Sequence, residues 1–181
     1  MKTESTVKYI LRLVLTLFVI TAVVAAALAG VNSITAPAIA QLKAEKTQQA
    51  IEAVLPGGGE EVEFPATALV SKVYASEAGY AVEVTPGGFD NTITMMVGVD
   101  KEGNVLGIDI ISHTETAGLG AVADAGTPAG VSFREQFVGM SGSVSVTKDG
   151  GEVEAITGAT ITSRAVCVGV NAALEVVGKM G

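Results

Sequence analysis

Seven consecutive residues near the C-terminus, Thr157-Gly158-Ala159-Thr160-Ile161-Thr162-Ser163, concentrate small side chains and hydroxyls. Gly158 and Ala159 leave the backbone open to close approach by a ligand. Thr160, Thr162 and Ser163 supply three hydroxyls at the start of a segment with helical spacing, Val166, Val170, Leu174 and Val177. At a helix start the unpaired N–H groups and the helix dipole favour a phosphate. By residue type alone a second reading is open, in which Thr162 or Ser163 is simply the N-cap of that helix.

A second segment, His113-Thr114-Glu115-Thr116-Ala117-Gly118-Leu119-Gly120, follows an alternating apolar stretch. Gly118 and Gly120 permit a tight loop that could lie against a planar ring. Leu119 could pack on the ring's face, and Thr114, Glu115 and Thr116 offer hydrogen-bonding groups for its polar edge. The run from Gly118 to Ala123 also matches a loose G-x-G-x-x-A fingerprint. No strand runs straight into it and no βαβ unit follows, which sets a dinucleotide fold aside. His113, at a strand end, reads equally well as a structural or solvent-facing histidine.

The rest of the composition removes rival chemistries. Cys167 and His113 are the only residues of their kinds, so this chain alone forms no disulfide, zinc site or iron–sulfur cluster. Redox chemistry here requires an organic cofactor. Nineteen acidic residues oppose eleven basic ones, and no basic-aromatic patch occurs, so nucleic acid is not an expected partner.

Those two segments need a scaffold. Residues 13–31 run nineteen positions without a charge or a proline. As a helix this stretch spans roughly 28 Å, close to the ~30 Å of a bilayer's hydrocarbon core. Lys2, Lys8 and Arg12 precede it, so residues 1–12 are expected in the cytoplasm and the remainder outside. A cleaved leader ending in the Ala-rich stretch at 25–29 is the competing reading. A polar break at 32–37 is expected to lead into a helical stalk, with residues 32–59 joining anchor to domain and the helix at 38–54 ending on Pro56-Gly57-Gly58-Gly59. Residues 60–181 form the expected domain, α+β with a mostly antiparallel sheet and a C-terminal helix. Strands are expected at 69–74, 80–84, 92–99 and 105–111, with a hairpin turn at 100–104. A short helix is expected at 133–140, a second hairpin from 143 to 156, and the closing helix from 163 to 177.

The two chemical segments together resemble the FMN-binding domain family. Glu154-Ala155-Ile156-Thr157-Gly158-Ala159-Thr160 resembles its flavinylation motif of Asp, two residues, Ser or Thr, Gly, Ala and Thr, with Glu154 at the Asp position. The loop at 113–120 resembles the family's His-x-Glu-Thr-Pro-Gly-Leu-Gly, with Ala117 in place of Pro. The likeness covers nearly the whole chain, Pro86-Gly87-Gly88-Phe89 included. It points to G subunits of Rnf-type ion-translocating ferredoxin:NAD oxidoreductases. This resemblance implies an FMN joined by a phosphoester to Thr160, through a separate flavin transferase that splits FAD. Thr157, Gly158, Ala159, Thr162 and Ser163 would surround it from the turn, and Thr114, Glu115, Thr116, Gly118 and Leu119 from the loop. No catalytic residue and no metal are implied. The chain would relay electrons among iron–sulfur and flavin subunits of a six-subunit complex in the inner or plasma membrane, spanning it once. Three alternatives stand beside this: a free-standing flavinylated domain for extracellular electron transfer, the C subunit of a sodium-translocating NADH:quinone reductase, and an anchored binding domain without redox function.

Overall fold

A computed structural model describes residues 2–180, with side-chain surroundings from residue 6 onward. The side chains of Lys2 and Glu4 therefore lie outside the described residues. The chain divides into two compact units, Met1–Ala44 and Glu45–Gly181.

The first unit is the greater part of one long helix, α1, Lys2–Val54. Its mean hydropathy reaches 2.6. Leu13, Leu17, Phe18, Ile20, Leu28 and Val31 are each more than half exposed. Leaving one such side chain in water costs about 1.5–3 kcal/mol relative to burial, so the surface of this helix fits lipid and not water. The polar break expected at 32–37 is not a break, because α1 continues through Pro37. The hydroxyls there turn back on their own helix: Ser33 Oγ donates to the Ala29 carbonyl at 2.6 Å and Thr35 Oγ1 to the Val31 carbonyl at 3.1 Å. Back-bonding of this kind absorbs the polar groups that read as a loop signal.

The second unit is α+β. Five strands form an antiparallel meander in chain order: β1 Glu60–Val62, β2 Val70–Ala75, β3 Tyr80–Val84, β4 Thr94–Val99 and β5 Val105–Ser112. β1, too short for alternation to reveal, is additional to the expected strands. The turn at 100–104 closes as expected, with Asp100 N–H donating to the Asn104 carbonyl at 2.9 Å. Both faces of the sheet are covered. Val73, Val82, Val84, Met95, Val97 and Val99 point into the core shared with the C-terminal helix α3, Thr160–Met180. Tyr74, Ala81 and Met96 point the other way, onto Ala50, Ile51, Val54 and Leu55 at the end of α1. Gly98 makes that packing possible, since a Cβ there would fall on the Val54 carbonyl. Val105 and Ile108 share a face although three residues apart. A register shift, with Val99 opposite Val105 but Gly98 opposite Gly107, inserts one extra residue into β5. α3 is itself apolar enough to cross a membrane, but most of it is buried against the sheet, which makes it a core helix.

Three expectations are corrected. The short helix α2 is Pro128–Glu135, not 133–140. Thr127 caps it, accepting from Gly130 N–H at 3.4 Å, with Pro128 in its first turn, and isolated turns follow to Gly139 at φ +80°. Residues 143–156 are not a β-hairpin. The Asn171 side chain satisfies Val144 on both its N–H and its carbonyl at 2.8 Å, leaving only a parallel bridge between Val146 and Val153 around a 3-10 turn, Thr147–Asp149. Finally, α3 begins at Thr160, three residues earlier than expected.

Candidate functional site

The fold brings the two chemical segments together. The loop after β5 and the turn before α3 meet at two places. Leu119 lies against Gly158, where φ is +78° and a Cβ would touch the leucine's Cδ2 at 3.0 Å. Beneath that contact, Thr162 Oγ1 donates to Glu115 Oε2 at 2.5 Å, both side chains being buried. The other carboxylate oxygen, Oε1, accepts Phe89 N–H at 2.8 Å, which ties in a third segment, the 86–91 loop between β3 and β4. That loop closes on itself through Gly88 N–H to the Asn91 carbonyl and Ile93 N–H to the Pro86 carbonyl. A Cβ on Gly88 or Gly120 would collide with the Glu115 carboxylate, so glycine at both positions is what admits it. His113 shapes the same loop: its Nδ1 accepts Glu115 N–H at 3.1 Å, and Nε2 stands 3.6 Å from Asp124.

A fourth arm arrives from the 3-10 turn. Lys148 Nζ donates to Thr160 Oγ1 at 3.1 Å. The turn is closed by its own backbone bonds and braced by Arg164, whose Nε and Nη2 grip Asp149 at 2.6 and 2.7 Å. That pairing lowers the Asp149 pKa and raises that of Arg164, chiefly through the shared hydrogen bonds. Among the described residues no carboxylate forms an ion pair with Lys148. Its ammonium adds a positive charge to the start of α3, where the N–H groups of the first turn precede the first bond of the helix ladder, Ser163 N–H to the Ala159 carbonyl.

Between these arms lies a cleft of about 290 Å³. Seven of the residues anticipated from sequence line it: Glu115, Thr116, Leu119, Gly158, Ala159, Thr160 and Thr162. Four do not. Ser163 is fully buried, donating to the Ala159 carbonyl and accepting Ile156 N–H, both at 3.0 Å. Thr157 faces a neighbouring depression that also holds Glu154, Lys148 and Thr160. Gly118, at φ +75°, serves the turn itself, and Thr114 lies outside the cleft. The N-cap reading of Thr162 and Ser163 fails, since both sit inside α3 with hydroxyls engaged elsewhere.

Sequence reasoning missed Lys148, Phe89 and Ile161 as lining residues. Phe89 carries a faint signal, a rare aromatic after two glycines. Lys148 and Ile161 carry none, because only the folded turn delivers the ammonium to Thr160. The resulting site has an apolar floor and rim from Leu119, Ile161 and Phe89, and a cationic, hydroxyl-bearing end at Lys148 and Thr160. Such a cleft suits a flat ring carrying an anionic tail.

Comparison with known proteins agrees. Residues 88–175 match the family model described as FMN-binding domain. The chain is 34% identical to the G subunit of the Na(+)-translocating ferredoxin:NAD(+) oxidoreductase complex of Acetobacterium woodii, over 93% of this chain and 92% of that one. It is 33% identical to the G subunit of the ion-translocating oxidoreductase complex of Methanosarcina acetivorans, over 94% and 95% of the two chains. A shorter match, 39% identical over 56% of this chain and 57% of the other, is to the G subunit of the proton-translocating ferredoxin:NAD(+) oxidoreductase complex of Clostridium ljungdahlii.

Proposed function

The chain belongs to the family of G subunits of ion-translocating oxidoreductase complexes, and from that premise we propose that its FMN is joined by a phosphoester to Thr160 and relays electrons on the outer side of the membrane. One observation carries the attachment site. The Thr160 hydroxyl opens onto the cleft at the first residue of α3, with an ammonium 3.1 Å from its oxygen. Thr162 and Ser163, the other hydroxyls of the segment, are committed to internal bonds.

The residues present fit the cofactor. Leu119, Ile161 and Phe89 offer apolar surface to a ring system, Thr116 offers a polar edge, and the start of α3 with Lys148 favours a phosphate. When bound, FMN supplies one-electron carriage between other redox centres. The protein's share is retention and orientation. Thr160 acts as a tether and neither as base nor nucleophile in turnover. The loop 113–120 fixes Leu119 against Gly158, so the cleft wall is preformed. Lys8 and Arg12 before the apolar stretch support a cytoplasmic N-terminus, with residues 60–181 outside, as part of a six-subunit assembly. Loss of a freely bound cofactor there would be permanent, which gives the tether its purpose.

The test is direct. The full-length protein produced with a flavin transferase should carry flavin fluorescence through a denaturing gel, and Thr160→Val should be dark. A dark wild-type band beside a labelled control protein would overturn the covalent reading. A fluorescent Thr160→Val band would overturn the assignment of the residue.

A further inference from the structure

We propose that Lys148 is the counter-charge for phosphoryl transfer onto Thr160, and that the Arg164–Asp149 pair is the device that positions it. The inference rests on the reading of Thr160 as the flavin acceptor. Lys148 and Thr160 are twelve residues apart in the chain, yet Nζ reaches Oγ1 at 3.1 Å. An ammonium is donor-only, so it occupies a lone pair of the threonine oxygen and leaves the O–H proton to be given up. The turn bearing Lys148 is only three residues long and has no side-chain cap of its own. Its backbone closes through Thr147 N–H to the Val153 carbonyl and Gly151 N–H to the Val146 carbonyl, and Arg164, one helical turn beyond Thr160, adds a side-chain grip on Asp149 next to Lys148 through two bonds. A two-point guanidinium–carboxylate grip fixes orientation as well as distance. Acceptor and clamp thus sit on the same helix, and the clamp grips the residue next to Lys148.

Thr160 Oγ forms a bond to the FMN-side phosphorus of a flavin dinucleotide, and the bridging P–O bond breaks. AMP leaves with the bridging oxygen, and the hydroxyl proton goes to solvent or to a base of the transferase. The product is a phosphodiester with one negative charge beside Lys148. In a domain with an acidic surplus, a neutral residue at 148 would take the ammonium away from both the transferring phosphate and the product, leaving Arg164 already paired with Asp149. Glu154 lines the same depression, which makes the lysine more necessary.

The experiment uses full-length protein made in cells without flavin transferase, then incubated with purified transferase, FAD and magnesium. Incorporation is read by in-gel fluorescence and intact mass. Lys148→Gln should lower the turnover rate by about tenfold or more, the scale of a charge-assisted hydrogen bond, with the KM for acceptor protein little changed. Lys148→Arg should recover most of that loss. Asp149→Asn should fall between wild type and Lys148→Gln, since the lysine is kept but released. Melting temperatures of all three should stay near wild type, because these side chains are exposed. Wild-type turnover in Lys148→Gln, or failure of Lys148→Arg to recover the rate, overturns the proposal while leaving the tether intact. If wild type is not labelled, or Thr160→Val is, the attachment reading fails and this inference falls with it.

Discussion

Replacing Glu115 tests whether the cleft is built by one buried carboxylate. In the native protein its Oε2 accepts from buried Thr162 and its Oε1 from Phe89 N–H. Hydrogen bonds to a charged group contribute about 1.5–3 kcal/mol, and a donor left unpaired in the interior costs about 1–3 kcal/mol. Thr162 is only 2% exposed, so its hydroxyl bears the greater share. Phe89 N–H lies near the rim, where water can replace the lost acceptor. Glu115→Ala should therefore destabilise the domain by about 3–4 kcal/mol. Thr162→Val, which removes one donor and leaves the Phe89 bond, should cost about 1.5–2 kcal/mol. Glu115→Gln keeps the shape and an acceptor for Phe89 N–H, while its amide nitrogen can only donate to the Thr162 oxygen, whose own proton must turn elsewhere, at about 1–1.5 kcal/mol. At roughly 3–5 °C per kcal/mol for a domain of this size, Glu115→Ala should melt about 10–15 °C below wild type. Cys167 is the only thiol and is 3% exposed, so a thiol-reactive fluorophore reports unfolding of this domain selectively. The double variant Glu115→Ala with Thr162→Val should cost no more than Glu115→Ala alone, because both break the same bond. Strictly additive penalties, or a Glu115→Ala melt within about 2 °C of wild type, would refute the carboxylate as the organising centre.

Two further outcomes follow from the same geometry. Ser163→Ala should retain full flavin labelling, because the hydroxyl faces the Ala159 carbonyl and Ile156 N–H and not the cleft, but should lower stability by about 1–2 kcal/mol in the same melt. The Cys167 thiol, pushed up to about 11 by burial, stays protonated in the native protein well above the pH at which the unfolded thiol, near 9.0, ionises. The native state then binds more protons, so its stability is intact below about pH 9 and falls by roughly 2–3 kcal/mol as pH rises toward 11. Cys167→Ser or Cys167→Ala should flatten that fall in denaturant titrations followed by circular dichroism.

What could be read before folding was whatever lies in local periodicity. The runs of Val, Ala and Met in 80–84 and 94–99 announce strands because each face meets a different core. The apolar stretch at 13–31 announces itself by length. Elements whose backbone is satisfied from far away are the ones that mislead. The segment after Ser143 looks like a strand, but its ladder partner is the side chain of Asn171. Thr162 and Ser163 look like helix caps by type, but α3 already starts at Thr160, and the Thr162 hydroxyl is taken by Glu115, 47 residues away, while that of Ser163 turns to Ala159 and Ile156. Lys148 reads as a turn residue, since nothing near it in the chain betrays that Arg164 will hold its neighbour.

The same division explains why Glu115 reads from sequence as a group that touches a ligand. A carboxylate in a Gly-rich loop resembles a ligand-binding group, and here both oxygens are spent on the protein's own donors. The loop's chemistry is therefore split: Glu115 and its flanking glycines build the wall, while Leu119 and Thr116 present it. The open cleft gives the proposed tether its reason. Binding pockets that retain a small ligand by contact alone bury most of its surface in some 300–1,000 Å³. The cleft beside Thr160, at about 290 Å³, falls just short of that range, and its apolar rim residues Phe89, Leu119 and Ile161 are 66%, 43% and 49% exposed. An electron relay must leave a ring edge within reach of its partners, so deeper burial would defeat its use. The covalent bond proposed at Thr160 would separate the two requirements, holding the cofactor at an effective concentration that no contact surface of this size could sustain while the rim stays open.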